Sequence, residues 1–197
     1  MTRSRALLVR HGTTPWNERG RLQGWADPPL SPTGRREAAI AAGVVAGRLD
    51  SRPVATDDRW RERSFGSLEG VLAADAFADH PELHPKSGAF SPTASLDGES
   101  ARRVVKRVRE AWQSLLATEY EGTPVVVTHE SPLRVVTGLV DGVDPIDALR
   151  RRSFDPGTTV AVESTSSNGS GWRMLAPGSR ERIEADAAAR DPGDTHR

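Results

Sequence analysis

The 197-residue chain has no cysteine, which excludes disulfides and thiol chemistry. It has no net charge either: 27 Lys+Arg balance 27 Asp+Glu. It therefore lacks the basic excess that drives general binding to nucleic acid or an anionic membrane surface. No long hydrophobic run is present. The apolar stretch behind the basic opening Met1-Thr2-Arg3-Ser4-Arg5 is far shorter than a signal-peptide core or a membrane span. The expectation is a cytoplasmic protein. Lysine is nearly missing, only Lys86 and Lys106, and no function is read from that arginine bias. No internal repeat is visible. The length suits one domain with a real core, expected over 1–176, with 177–197 as a tail too poor in apolar residues to fold.

What is present centres on Leu7-Leu8-Val9-Arg10-His11-Gly12-Thr13-Thr14-Pro15-Trp16-Asn17. Ala6 to Val9 reads as a strand covered on both faces. Ligand crevices of open α/β sheets lie at the carboxyl ends of strands, where Arg10, His11 and the Gly12-Thr13-Thr14 loop would sit. A guanidinium, an imidazole, a permissive glycine and hydroxyls make an anion cradle. A second stretch, Pro124-Val125-Val126-Val127-Thr128-His129, repeats the design. Ser131-Pro132 then opens a helix with Ser131 as cap, aiming N–H groups and a positive dipole end at a bound anion.

Between these stretches, Ser31-Pro32 caps a helix over Pro32 to Leu49, with Ala38, Ala42, Val45, Ala46 and Leu49 on its buried face. Val54 to Thr56 reads as a short parallel strand. Val71 to Ser95 is turn-rich and irregular. Its His80 and His84 have an i, i+4 spacing, but Pro81 and Pro85 argue against a helical metal pair. Val104, Val105, Val108, Ala111, Trp112, Leu115 and Leu116 form an apolar helical stripe beside a solvated face of Arg102, Arg103, Lys106, Arg107 and Arg109. Pro145 to Arg152 reads as a short helix, and Thr158–Glu163 with Trp172–Leu175 as a final hairpin.

The run Arg10-His11-Gly12-Thr13-Thr14-Pro15-Trp16-Asn17, extended by Arg21-Leu22-Gln23-Gly24-Trp25 and Gly34, resembles the histidine phosphatase superfamily, also called phosphoglycerate mutase-like. Arg61-Glu62-Arg63-Ser64-Phe65-Gly66 and His129 continue the resemblance. It implies a three-layer α/β/α sandwich with a mostly parallel sheet and a substrate-selecting lid at about 71–97. It also implies phosphoryl transfer through a phosphohistidine on His11. Arg10 and His129 would hold the phosphoryl group. Asn17, Gly24, Gly12 and Thr13 would line the pocket, and Arg63 would contact substrate. Glu62 would protonate the leaving oxygen. Chemistry assigns that task independently to a carboxyl whose pKa is raised by partial burial. The expected partner is a small-molecule phosphate ester, with no cofactor and no metal, since arginine and histidine supply the positive charge.

Two departures stand out. The family usually carries a further strand and helix with a Ser-x-Leu-x-Arg-Ala pattern, whose arginine is a second phosphate ligand. Only four residues separate Leu49 from Val54, so one βα unit is expected to be missing. Losing that arginine costs about 2–3 kcal/mol of phosphate binding unless Arg59, Arg61 or Arg63 replaces it. The residue after the second histidine is Glu130 in place of glycine, which puts a carboxylate beside the pocket. Arg134 matches a position often basic in the family and reads as structural. The readings are a phosphomonoesterase, a mutase-type phosphoryl transferase, or a catalytically impaired phospho-ligand binder. An incomplete sheet edge could also pair two copies into a homodimer.

Overall fold

The computed structural model describes residues 5–45, 54–120, 122–165 and 171–175. The aliphatic run forms strand β1 (Arg5–Arg10), whose four central residues are buried. It is followed by α1 (Pro15–Glu18), α2 (Pro32–Val45), α3 (Ala73–Asp79), α4 (Ala101–Ala117), β2 (Val125–Thr128), α5 (Glu130–Val140), α6 (Pro145–Arg151), β3 (Thr159–Ser164) and β4 (Trp172–Met174). The strand order is β2-β1-β3-β4.

β1 is buried on both sides because its alternate side chains enter different layers. Leu7 and Val9 pack with Ala41 and Val45 of α2. Ala6 and Leu8 join a larger core with Val104, Val108 and Trp112 of α4, and with Leu133, Val135 and Val136 of α5. This is the expected three-layer sandwich. The sheet is less parallel than expected. β2 runs parallel to β1, but β3 is antiparallel to β1 and β4 antiparallel to β3. Three strands share a direction, yet only one neighbouring pair is parallel. A parallel neighbour needs a long crossover, and β3 and β4 are separated by too short a connection for one.

The rotation of α2 is set by glycine contact. Ser31 Oγ accepts from Gly34 N at 3.1 Å, and Thr13 O accepts from Ser31 N at 2.9 Å. A Cβ on Gly12 would fall 2.2 Å from Gly34 O, and one on Gly34 would fall 2.0 Å from Thr13 O. The loop after β1 and the start of α2 therefore meet backbone on backbone. That contact turns Gly34, Ala41 and Val45 inward and leaves Ala42 exposed, correcting the expected stripe. Ala46 and Leu49 lie outside the described residues, as does the expected tail.

Val54 to Thr56 forms no strand. Val54 is 94% exposed, and β2 is left at the edge of the sheet, where a further strand would otherwise pair. The lid is more regular than its composition suggested: α3 and a 3-10 turn over Pro81–Leu83 fall within it. His84 stacks edge-on against Phe77 at 4.5 Å, and His80 faces Glu82 at 3.5 Å. The α4 stripe is buried from Val104 to Trp112, whereas Leu116 is exposed. No helix among the described residues is long and apolar enough to cross a membrane.

Candidate active site

The ends of β1 and β2 are tied together, His11 N donating to Thr128 O at 2.9 Å. This brings His11 and His129 ring to ring, with centroids 4.9 Å apart at 62°. The Nδ1 of His11 lies 2.7 Å from Gly12 O. Since a carbonyl only accepts, Nδ1 carries the proton and Nε2 keeps its lone pair. Burial, helped by the Arg10 charge, holds the His11 pKa below its ordinary value against the opposing bond to Gly12 O. His11 is thus a neutral imidazole with a free nitrogen at pH 7.

His129 is pushed down to about 4, first by burial, with the Arg10 and His11 charges adding to it and Glu62 opposing. Glu62 is partly buried. Its Oε1 accepts from Arg63 N at 2.7 Å, and its Oε2 accepts from Ser131 N at 3.1 Å. Burial works to raise its pKa, but facing His129 and these two N–H donors outweigh it, so the net shift is downward. This corrects the raised value expected from the sequence: the α5 N-terminus solvates the carboxylate. Ser131 is accordingly not the cap. His129 holds the cap position, and the Ser131 N–H serves Glu62.

The Glu62 backbone is clamped from two sides. Its carbonyl accepts from Trp25 Nε1 at 2.9 Å and from Arg107 Nη2 at 2.7 Å. Arg107 also binds Glu99 through Nε and Nη2 and the carbonyls of Arg59 and Arg61 through Nη1. Thr128 Oγ1 donates to Trp60 O at 2.6 Å, tying the end of β2 to the segment that delivers Glu62. Glu69 accepts from Trp25 N, Ala26 N, Ser64 Oγ and Phe65 N, and a Cβ on Gly24 would fall 2.2 Å from Glu69 Oε1.

A cavity of about 300 Å³ opens over these groups. Arg10, His11, Asn17, Gly24, Glu62, His129 and Glu130 line it. Asn17 spends its Oδ1 on Thr14 N at 3.0 Å in a capping box, so its amide nitrogen is the group left for a ligand. Gly12 and Thr13 are not in the wall. Both donors of Thr13 go to Glu37, N at 2.7 Å and Oγ1 at 3.1 Å, which corrects their expected place in the anion cradle. Arg63 lines the cavity but sends its guanidinium to the carbonyls of Glu99, Leu83 and Ala94. It staples the lid. Arg59 pairs with Asp57, and Arg61 stacks on Trp25 at 4.4 Å. None of the three replaces the missing arginine.

Arg134, expected to be structural, lines the cavity with Arg21, Lys86, Phe65, Phe77 and Leu149. A signal existed: four residues after Glu130 on one helix is salt-bridge spacing. Glu130 contacts Arg134 through Oε1, accepts from Ser153 Oγ at 3.2 Å, and lies 3.1 Å from Arg10 Nη1 through Oε2. Arg10 Nη1 also donates to Phe154 O. Burial, then the Lys86 and Arg134 charges, hold His84 below its ordinary pKa.

The arrangement defines an α/β protein with a pocket built on paired neutral histidines, a carboxylate held by two N–H donors, and arginine. Comparison with known proteins places it further. The chain matches the histidine phosphatase superfamily (branch 1) over residues 6–52 and 41–176, and it belongs to that superfamily. The two matched stretches overlap at residues 41–52. A Mycobacterium tuberculosis protein named as bifunctional is 32% identical over 162 residues, 70% of this chain and 44% of that protein. The chain thus spans less than half the length of that relative. Phosphoserine phosphatase 1 of Hydrogenobacter thermophilus is 29% identical, covering 70% of this chain and 76% of that protein. Among solved structures, a mycobacterial glucosyl-3-phosphoglycerate phosphatase complexed with VO3 aligns with TM-score 0.74 at 22% identity, over 88% of this chain and 98% of the other. That likeness shows the shared fold.

Proposed function

We propose that the protein is a cytoplasmic phosphomonoesterase acting on a small phosphorylated metabolite through a phosphohistidine. One observation carries the reading. The Nδ1–H of His11 is committed to Gly12 O, which leaves Nε2 unprotonated in a ring beside His129, in a cavity that Glu62 also lines. Nε2 attacks phosphorus in line; the N–P bond forms as the P–O bond to the leaving group breaks. His129 and Arg10 hold the phosphoryl oxygens. Glu62 is a carboxylate in the free protein, and a phosphate dianion beside it raises its proton affinity. It takes up a proton on binding and delivers it to the leaving oxygen. It then removes a proton from the water that attacks phosphorus, the N–P bond breaks, and His11 and phosphate are released. Phosphatase is preferred to mutase because a retained bisphosphorylated intermediate needs a basic lid, and Lys86 is the lid cation in the wall.

A second reading rests on Glu130, whose carboxylate is already on Arg10: a phospho-ligand binder with impaired turnover. Phosphate release from p-nitrophenyl phosphate and a panel of phosphometabolites, with EDTA present, separates the two. Turnover in the intact protein that is lost in His11→Ala supports the esterase, whereas equal rates in both would refute it. Assembly is part of the proposal: a second copy pairs along the β2 edge, where Val127 is 67% exposed.

A further inference from the structure

The resemblance places a second phosphate-binding arginine on a βα unit that this chain is expected to lack. We propose that Arg134 is the second arginine of the phosphoryl site, and that Glu130 is the anion it shares with Arg10 until a phosphate takes its place. This rests on the phosphoryl-site reading above.

The first observation is the bridge. One carboxylate reaches both guanidiniums, Oε2 to Arg10 Nη1 at 3.1 Å and Oε1 to Arg134 Nη2. The two oxygens of a carboxylate and any two oxygens of a phosphate have similar spacing, and guanidinium forks suit both groups. Two arginines spanned by a carboxylate are therefore spaced to be spanned by a phosphate. The second observation is a pair of unmet donors. Arg10 Nε and Arg134 Nε are both buried without a hydrogen-bond partner, and both residues line the same cavity. Buried guanidinium donors left unpaired are costly, and an added oxyanion answers that need. The third is elimination. Arg59, Arg61 and Arg63 are committed to Asp57, to the Trp25 ring and to lid carbonyls, and Arg21, also in the wall, donates to Gly70 O.

Glu130 then has a definite role. A glycine there would leave Arg10 and Arg134 as two unneutralised cations close together. The carboxylate keeps them in place in the free protein, steadied by Ser153. It competes with weak anions, and a dianionic phosphoryl group outbids it with twice the charge. Arg134 Nη1 also donates to Leu149 O at 3.1 Å, which holds one arm of its guanidinium against α6 while Nη2 and Nε face the anion.

The test is binding of inorganic phosphate and of orthovanadate by calorimetry, alongside KM and kcat for p-nitrophenyl phosphate. The proteins compared are the intact chain, Arg134→Ala, Arg134→Lys, Glu130→Gln and Arg152→Ala. Arg152 pairs with Asp141 outside the cavity and reports general loss of stability. The expectation is that Arg134→Ala weakens phosphate at least tenfold, with Arg134→Lys recovering part of the loss. Glu130→Gln, which keeps the shape and removes the charge, should tighten phosphate several-fold. Arg152→Ala should lower the melting temperature without moving phosphate affinity. If Arg134→Ala binds phosphate as the intact chain does, or Glu130→Gln binds it no more tightly, the assignment is wrong even though turnover persists. If the intact chain turns over no ester but phosphate binding follows the expected pattern, the assignment stands and the esterase reading falls. Absence of phosphate and vanadate binding in the intact chain overturns both.

Discussion

The low proton affinity of His129 has a consequence for stability. Its pKa is pushed from 6.5 down to about 4 in the folded protein, chiefly by burial. The unfolded chain takes up this proton as pH falls through 6.5, while the folded chain refuses it until about 4. Over that window the unfolded state binds more protons, so stability rises with pH and is lost on acidification. A gap of about two and a half pH units, at 1.36 kcal/mol each, amounts to about 3 kcal/mol lost between pH 6.5 and 4. The perturbation is His129→Gln, which keeps a polar side chain and removes the titration. Urea unfolding of both proteins at half-unit steps from pH 7.5 to 4.5 gives the two stability curves. Glu62 shifts downward, so its protonation weighs on the acid end, and the interval from 6.5 to 5 is the cleaner one. His11 and His84 are also held low and give both proteins a shared slope. The variant should lose up to one proton's worth of slope, about 1.4 kcal/mol per pH unit, across that interval. Parallel curves would mean that His129 titrates like a solvated imidazole and that the buried, neutral partner assigned to His11 is wrong.

Two other predictions follow from packing. Gly12→Ala should destabilise the protein by about 3 kcal/mol, because its Cβ would meet the rigid carbonyl of Gly34 at 2.2 Å; a melting curve matching the parent would refute the backbone contact between the β1 loop and α2. Val127→Lys, at an exposed position on the β2 edge, should turn a dimer into a monomer in light scattering with little change in melting temperature. A parent that is monomeric at high concentration would end the edge-pairing proposal.

Much of the fold was legible because burial leaves a pattern. β1, α4 and the final hairpin follow from hydrophobic periodicity, and His11, Glu62 and His129 follow from motif. What escaped was set by contacts distant in sequence. The buried face of α2 could not be read from alanines, since the Gly12–Gly34 contact fixes its rotation. Val54 to Thr56 has strand-like composition but lies exposed instead of joining the open β2 edge, and composition does not say which edge a segment reaches. α3 was hidden among the Gly- and Pro-bearing segments of the lid.

The site shows the same division more sharply. Motif placed Arg63 and Thr13 at the substrate, yet their donors are spent on the lid carbonyls and on Glu37. Arg134, passed over as structural, stands in the wall. A motif records which residue types recur at a position, and a guanidinium looks the same in sequence whether it staples a lid or faces a ligand. Hydrogen-bond accounting separates the cases. Arg63 has found three carbonyls in a buried setting and cannot leave them without exposing unpaired groups. Arg10 and Arg134 keep one unmet Nε each and share a single carboxylate. Glu130 links the two departures of this chain from its family. On the proposed phosphate-site reading, the loss of one cation and the gain of one carboxylate change the local charge by two in the unfavourable direction. Arg134, four residues further along α5, meets the added carboxylate directly, and in the proposed assignment its guanidinium makes up for the lost one.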